Sequence, residues 1–104
     1  MYQKKDGFNN QRLFIVPDSY FMELFPDSVL SQCYVTSMGY FPKALYHYRE
    51  RPEGLNDYLL MYCVAGEGRV GLADNPMYTL KQGQITILPP NVAHLYYASR
   101  ENPW

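Results

Sequence analysis

Apolar and polar residues alternate along this chain in short runs, and glycine, proline or asparagine interrupts nearly every run. Residues 58–64, Y-L-L-M-Y-C-V, are the most apolar stretch, which predicts a central strand buried on both faces. Residues 84–88 place Ile85 and Ile87 on one face and Gln84, Thr86 and Leu88 on the other, the pattern of a half-buried strand. Gly83 opens that strand from a turn, and Pro89 and Pro90, which lack backbone donors, end it. Residues 92–98 resume as a strand with Val92, His94, Tyr96 and Ala98 on one face. Shorter strands are predicted over 69–72 and 77–80, between turns at Gly66-Glu67-Gly68 and Ala73-Asp74-Asn75-Pro76.

Upstream, residues 31–38 lean towards β structure and are broken by Gly39. Residues 44–51, A-L-Y-H-Y-R-E-R, predict a strand in which Leu45, His47, Arg49 and Arg51 share one parity. Arg51-Pro52-Glu53-Gly54 then forms a turn. Residues 13–16 are a short apolar run stopped by Pro17. Asp18 or Ser19 caps a short helix that ends before Pro26. Residues 1–12 are polar and predict a flexible arm, leaving one domain over 13–104. Strands separated by turns every 8–12 residues or so predict an all-β sandwich or barrel.

Composition narrows the functional classes. A chain of 104 residues with 47% hydrophobic content is sized for one packed core. Its formal net charge is -1 and its longest basic run is Lys4-Lys5, which argues against a nucleic-acid surface on this chain. No apolar run is long enough to span a membrane, and no apolar segment follows the N-terminal lysines as in a signal peptide, so a cytoplasmic location is expected. The two cysteines, Cys33 and Cys63, have neither metal nor redox spacing and are expected to be free thiols.

The spacing G-x5-P-x4-H, carried by Gly83, Pro89 and His94, resembles the second motif of the cupin jelly rolls. Asn91 stands where that motif has its second glycine, and asparagine tolerates the left-handed region. Ala98 replaces the motif's asparagine. More narrowly, the stretch is similar to the N-terminal sensor domain of AraC-type transcription regulators, from which Gln84 departs at one position. The resemblance implies a cupin-like jelly roll, mainly β with one short N-terminal helix, that binds a small effector. It further implies that helices pairing two subunits into a homodimer, then a helix-turn-helix region that binds DNA, follow in the complete regulator. On this basis Trp104 is expected to mark the end of a fragment.

Cupin enzymes hold a divalent metal through three histidines and a glutamate, two of the histidines and the glutamate coming from a first motif. Anchored on Gly66, that motif's glutamate position is Leu59, and its histidine positions fall among residues 52–55, where there is none. His47 lies too far upstream to replace them. A catalytic metal normally needs about three protein ligands, so no metal or other cofactor is expected. No nucleophile or phosphate-loop motif is present either.

What remains is a metal-free pocket. In sugar-binding AraC-type sensors the arginine of an R-P-x-G segment reaches into the barrel and hydrogen-bonds the ligand, and here that arginine is Arg51. The same resemblance puts Tyr96, two residues past the motif histidine, at the pocket's border. Arginine offers several fixed donors for hydroxyls or a carboxylate, and a tyrosine ring packs on the apolar face of a pyranose. His94, on the face of Tyr96, is a further candidate, as are Tyr62, Ser37 and Thr36 as polar liners. The expected function is effector sensing, with a saccharide as the effector. A metal-dependent cupin enzyme, such as an isomerase or dioxygenase, is the alternative, and a pairing module without a ligand is a third reading.

Overall fold

The computed structural model describes residues 3–16 and 34–104. Those residues form eight strands and no helix: β1 (Arg12–Ile15), β2 (Ser37–Tyr40), β3 (Tyr48–Arg51), β4 (Leu59–Tyr62), β5 (Glu67–Leu72), β6 (Tyr78–Lys81), β7 (Ile85–Leu88) and β8 (His94–Ala98). The chain is an all-β sandwich of the cupin-like kind. The helix expected after Pro17 lies outside the described residues.

All pairings between these strands are antiparallel. β3, β8, β5 and β6 make one four-stranded sheet in that order, β4 pairs with β7, and β1 pairs with β2. The four-stranded sheet and the β4–β7 pair enclose the core. Val70, Leu80 and Tyr96 come from the first layer, Cys63 and Leu88 from the second, and Leu59, Met61, Leu72 and Trp104 pack around them. Burial of such apolar surface is the main stabilising contribution, about 1.5–3 kcal/mol for each large side chain fully removed from water.

Three expectations need correction. β4 is buried on one face only. Leu59, Met61 and Cys63 turn inward, whereas Tyr58, Leu60, Tyr62 and Val64 are exposed beside Ile85 and Ile87 of the paired strand. The reason is topological: among the described residues the β4–β7 pair has one layer to pack against, so its other face meets water. The inward face of β7 is accordingly that of Leu88, not that of the isoleucines. The second correction concerns residues 44–51, of which only Tyr48–Arg51 is extended. Lys43 and Tyr46 have φ of 47° and 68°, so the preceding residues turn instead of forming ladder. The third is Gly39, which does not break a strand but sits inside β2 opposite Leu13.

The N-terminal segment touches the body of the fold. Lys4 N–H donates to the Tyr46 carbonyl at 2.7 Å, and Tyr48 N–H donates to the Lys4 carbonyl at 3.0 Å. Phe8 is buried against Phe41 and His47.

Candidate functional site

The site is built by register. In the β3–β8 pairing Arg51 stands opposite His94 and Arg49 opposite Tyr96, so these four side chains emerge on one face of the sheet. In the β5–β8 pairing Val70 and Leu72 lie opposite Tyr96 and His94 and continue that face into the core. The loop chemistry around it fixes where β3 ends and β8 begins. Gly54, at φ 72°, closes a turn on Arg51 through a 3.0 Å bond from its N–H to the Arg51 carbonyl. It also lies so close to Val92 that a Cβ would stand 2.4 Å from the Val92 carbonyl oxygen. Asn91, at φ 60°, uses the left-handed region that its place in the motif suggests, and its N–H donates to the Leu55 carbonyl at 2.7 Å. The turns at 51–54 and 89–92 are thus held together, and Arg51 and His94 meet beside them.

The three side chains converge. Arg51 Nη1 lies 3.0 Å from His94 Nε2 and donates to the Tyr96 hydroxyl at 3.2 Å. The guanidinium carbon is 5.7 Å from the centre of the Tyr96 ring, and the rings of His94 and Tyr96 stack with centroids 6.1 Å apart. His94 and Tyr96 are buried and Arg51 is half-buried. Burial, and secondarily the charge of Arg51, holds the His94 ring below the usual imidazole pKa of 6.5. A cavity of about 190 Å³ opens at this end of the sheet; Arg51 and His94 border it, but so do Glu50, Gly71 and Leu95, which pair on the opposite face of the sheet, and Tyr96 does not line it. Pockets for drug-sized ligands run roughly 300–1,000 Å³, and this cavity is smaller.

The other candidates lie elsewhere. Tyr62 is on the outer face of β4 opposite Ile85, away from the core. Ser37 is exposed on β2 opposite Ile15. Thr36 donates from Oγ1 to the Asp57 carboxylate at 3.1 Å. Among the described residues no group of three or more His, Cys, Asp or Glu side chains is placed to hold a metal ion.

A second cluster has a weaker trace in the sequence. His47 is buried in a cage of rings: Phe41 stacked at 5.2 Å, Phe8 edge-on at 5.2 Å, Tyr96 at 5.7 Å and Trp104 at 6.3 Å. Trp104 Nε1–H donates to His47 Nδ1 at 3.1 Å. Burial first, then the charges of Arg49 and Arg51, with Asp6 opposing, lowers the His47 pKa to about 4. The members of this cage are scattered in sequence, and only the parity that His47 shares with Arg49 and Arg51 hints that it faces inward.

The structure is thus a β sandwich in which an arginine, a histidine and a tyrosine converge on one face of a sheet. Residues 35–104 match the AraC-like ligand binding domain family, and the chain belongs to that family. It is 34% identical over 74 residues to the MmsAB operon regulatory protein of Pseudomonas aeruginosa, an alignment covering 68% of this chain and 24% of that protein. The chain therefore spans about a quarter of the length of that relative. No solved structure matches it. Among the described residues no helix is long and apolar enough to cross a membrane.

Proposed function

We propose that this chain is the sensing domain of a cytoplasmic transcription regulator, and that it binds a small, oxygen-rich effector of the saccharide type without a metal or other cofactor. The complete regulator binds DNA through a region outside this chain and acts as a homodimer. The observation that carries the proposal is the convergence of Arg51, His94 and Tyr96 on one face in a domain of the AraC-like ligand binding family. Thr36, Ser37 and Tyr62 do not contact that cluster.

A ligand regulates only through a difference in affinity between two arrangements of the protein. Arg51 suits that task, because it holds two buried side chains through one nitrogen and any ligand that draws on the guanidinium redistributes those bonds. The test is a thermal-shift screen of monosaccharides and their derivatives. A ligand of the site raises the melting temperature by mass action, and Arg51→Ala removes the response while leaving the fold intact by circular dichroism. A response that persists in Arg51→Ala moves the site elsewhere. A chain that no such compound stabilises is not a sensor of this class.

A further inference from the structure

The polar groups of the Arg51 site do not form a balanced set. A guanidinium donates hydrogen bonds and accepts none. In the contact at 3.0 Å, His94 Nε2 is therefore the acceptor, and the proton of the neutral ring sits on Nδ1. That Nδ1–H is buried and has no acceptor. A buried polar group left unpaired costs about 1–3 kcal/mol, so a group that supplies the missing acceptor gains the corresponding stabilisation. The Tyr96 hydroxyl uses one lone pair to accept from Arg51 and keeps its own hydrogen to give. Arg51 itself, half-buried, has no carboxylate partner among the described residues. The site thus presents three donors and a positive charge.

From this we infer that the group captured here is a carboxylate, carried by a small hydroxy acid or sugar acid, with the Arg51 guanidinium and the His94 Nδ1–H as its donors. The inference rests on the effector-binding reading above and narrows it. A neutral sugar hydroxyl always brings a hydrogen along with its two acceptor lone pairs, and in a cluster dominated by donors that hydrogen has only the second lone pair of the Tyr96 oxygen to meet. A carboxylate accepts only and matches the guanidinium fork. A phosphate is also acceptor-only but carries about -1.5 to -2 charges. The guanidinium of Arg51 alone makes the polar contacts to His94 and Tyr96, so the smaller charge is favoured. Glu50 is exposed, and its carboxylate accepts from the Tyr48 hydroxyl at 3.1 Å, which holds it on the opposite face of β3. Water cannot touch Nδ1 in this structure, so engaging it requires the surrounding side chains to part, which is the rearrangement a sensor needs.

The experiment pairs each acid with its neutral counterpart: D-galacturonate against D-galactose, and glycerate against glycerol, by calorimetry and thermal shift at millimolar concentration. Nitrogen-15 spectra of the His94 ring with and without acetate accompany them. The expected result is stabilisation by the acids and none by the neutral partners, a response about tenfold weaker in Arg51→Lys because the fork is lost, and loss of it in His94→Phe. The ring is expected as the Nδ1–H tautomer, with acetate shifting that proton. Equal binding of galactose and galacturonate, lost in Arg51→Ala, overturns the carboxylate and leaves the sensor reading standing. Binding of any probe that is indifferent to both Arg51→Ala and His94→Phe overturns both. An Nε2–H tautomer for His94, or an acetate titration that leaves the ring unmoved while no acid binds, overturns the inference without recourse to any variant.

Discussion

Acid should weaken this fold through His47, by an amount that its environment fixes. In an unfolded chain the ring takes up a proton near pH 6.5; in the folded chain burial and two arginines hold that back to about pH 4. Between those values the unfolded state binds the extra proton, so stability falls as pH falls, starting near 6.5 and levelling off below 4. Integrating the two titrations gives a loss of about 2 kcal/mol between pH 7 and pH 5, and about 3 kcal/mol by pH 4. Protonation also works against the Trp104 bond only if the proton enters at Nδ1. Since Nδ1 accepts from the indole, Nε2 already carries the neutral ring's hydrogen, so the added proton must displace that bond. The assay is urea unfolding of the native chain and of His47→Gln at pH 7, 6, 5 and 4. The quantity of interest is the difference between the two pH profiles, in which carboxylate titrations common to both cancel. His94 shifts in the same direction, so His47→Gln keeps a residual slope. Whatever stability the variant loses at pH 7, its profile should be flatter by the stated amount. Parallel profiles for the two proteins would refute the burial argument for His47.

Two further substitutions test the packing. Leu88→Ala, at a fully buried position, should cost about 2–5 kcal/mol. Ile87→Ala, one residue away on the exposed face, should cost under about 1 kcal/mol; equal losses by urea titration would mean the faces of β7 are misassigned. Gly68→Ala places a methyl 2.1 Å from the Trp104 ring, so the indole must move off its seat. Overpacking of this kind costs about 1–3 kcal/mol. Because Trp104 is the chain's single tryptophan, its emission should shift to the red, and an unchanged spectrum would sink the claim that the ring covers Gly68.

The strands that the sequence shows most clearly are those bounded by obligate turn chemistry. β7 and β8 fall where Gly83 and the double proline delimit them, and Asn91 takes its left-handed conformation. Parity puts His94 and Tyr96 on one face, the family resemblance singles out Arg51 and Tyr96, and the antiparallel register then joins the three. Where the pattern misleads, the cause is identifiable. In Y-L-L-M-Y-C-V both parities are apolar, so hydrophobicity cannot say which face is covered; that depends on how many layers the topology supplies. Tyr46 and Lys43 are left-handed without being glycine or asparagine, so the start of β3 carries no turn signal. The ring cage of His47 draws Phe8, Phe41 and Trp104 from distant parts of the chain, and no spacing rule relates them.

The two histidines show why residue type alone does not assign a role. Both are buried and both are held below the usual imidazole pKa by burial and by neighbouring arginine charge. Their partners nevertheless fix opposite tautomers. At His47 the indole N–H donates to Nδ1, leaving the proton on Nε2. At His94 the guanidinium donates to Nε2, leaving the proton on Nδ1. His47 lies among Phe8, Phe41, Tyr96 and Trp104, so its contacts hold the N-terminal segment and Trp104 onto the sheet. His94 lies beside Arg51 and Tyr96 with a buried donor that nothing satisfies. Tyr96 touches both: its ring meets His47 edge-on, and its hydroxyl accepts from Arg51. The same buried chemistry therefore locks one end of the sheet and leaves the other end with a donor to give, and the direction of a single hydrogen bond at each ring decides which is which.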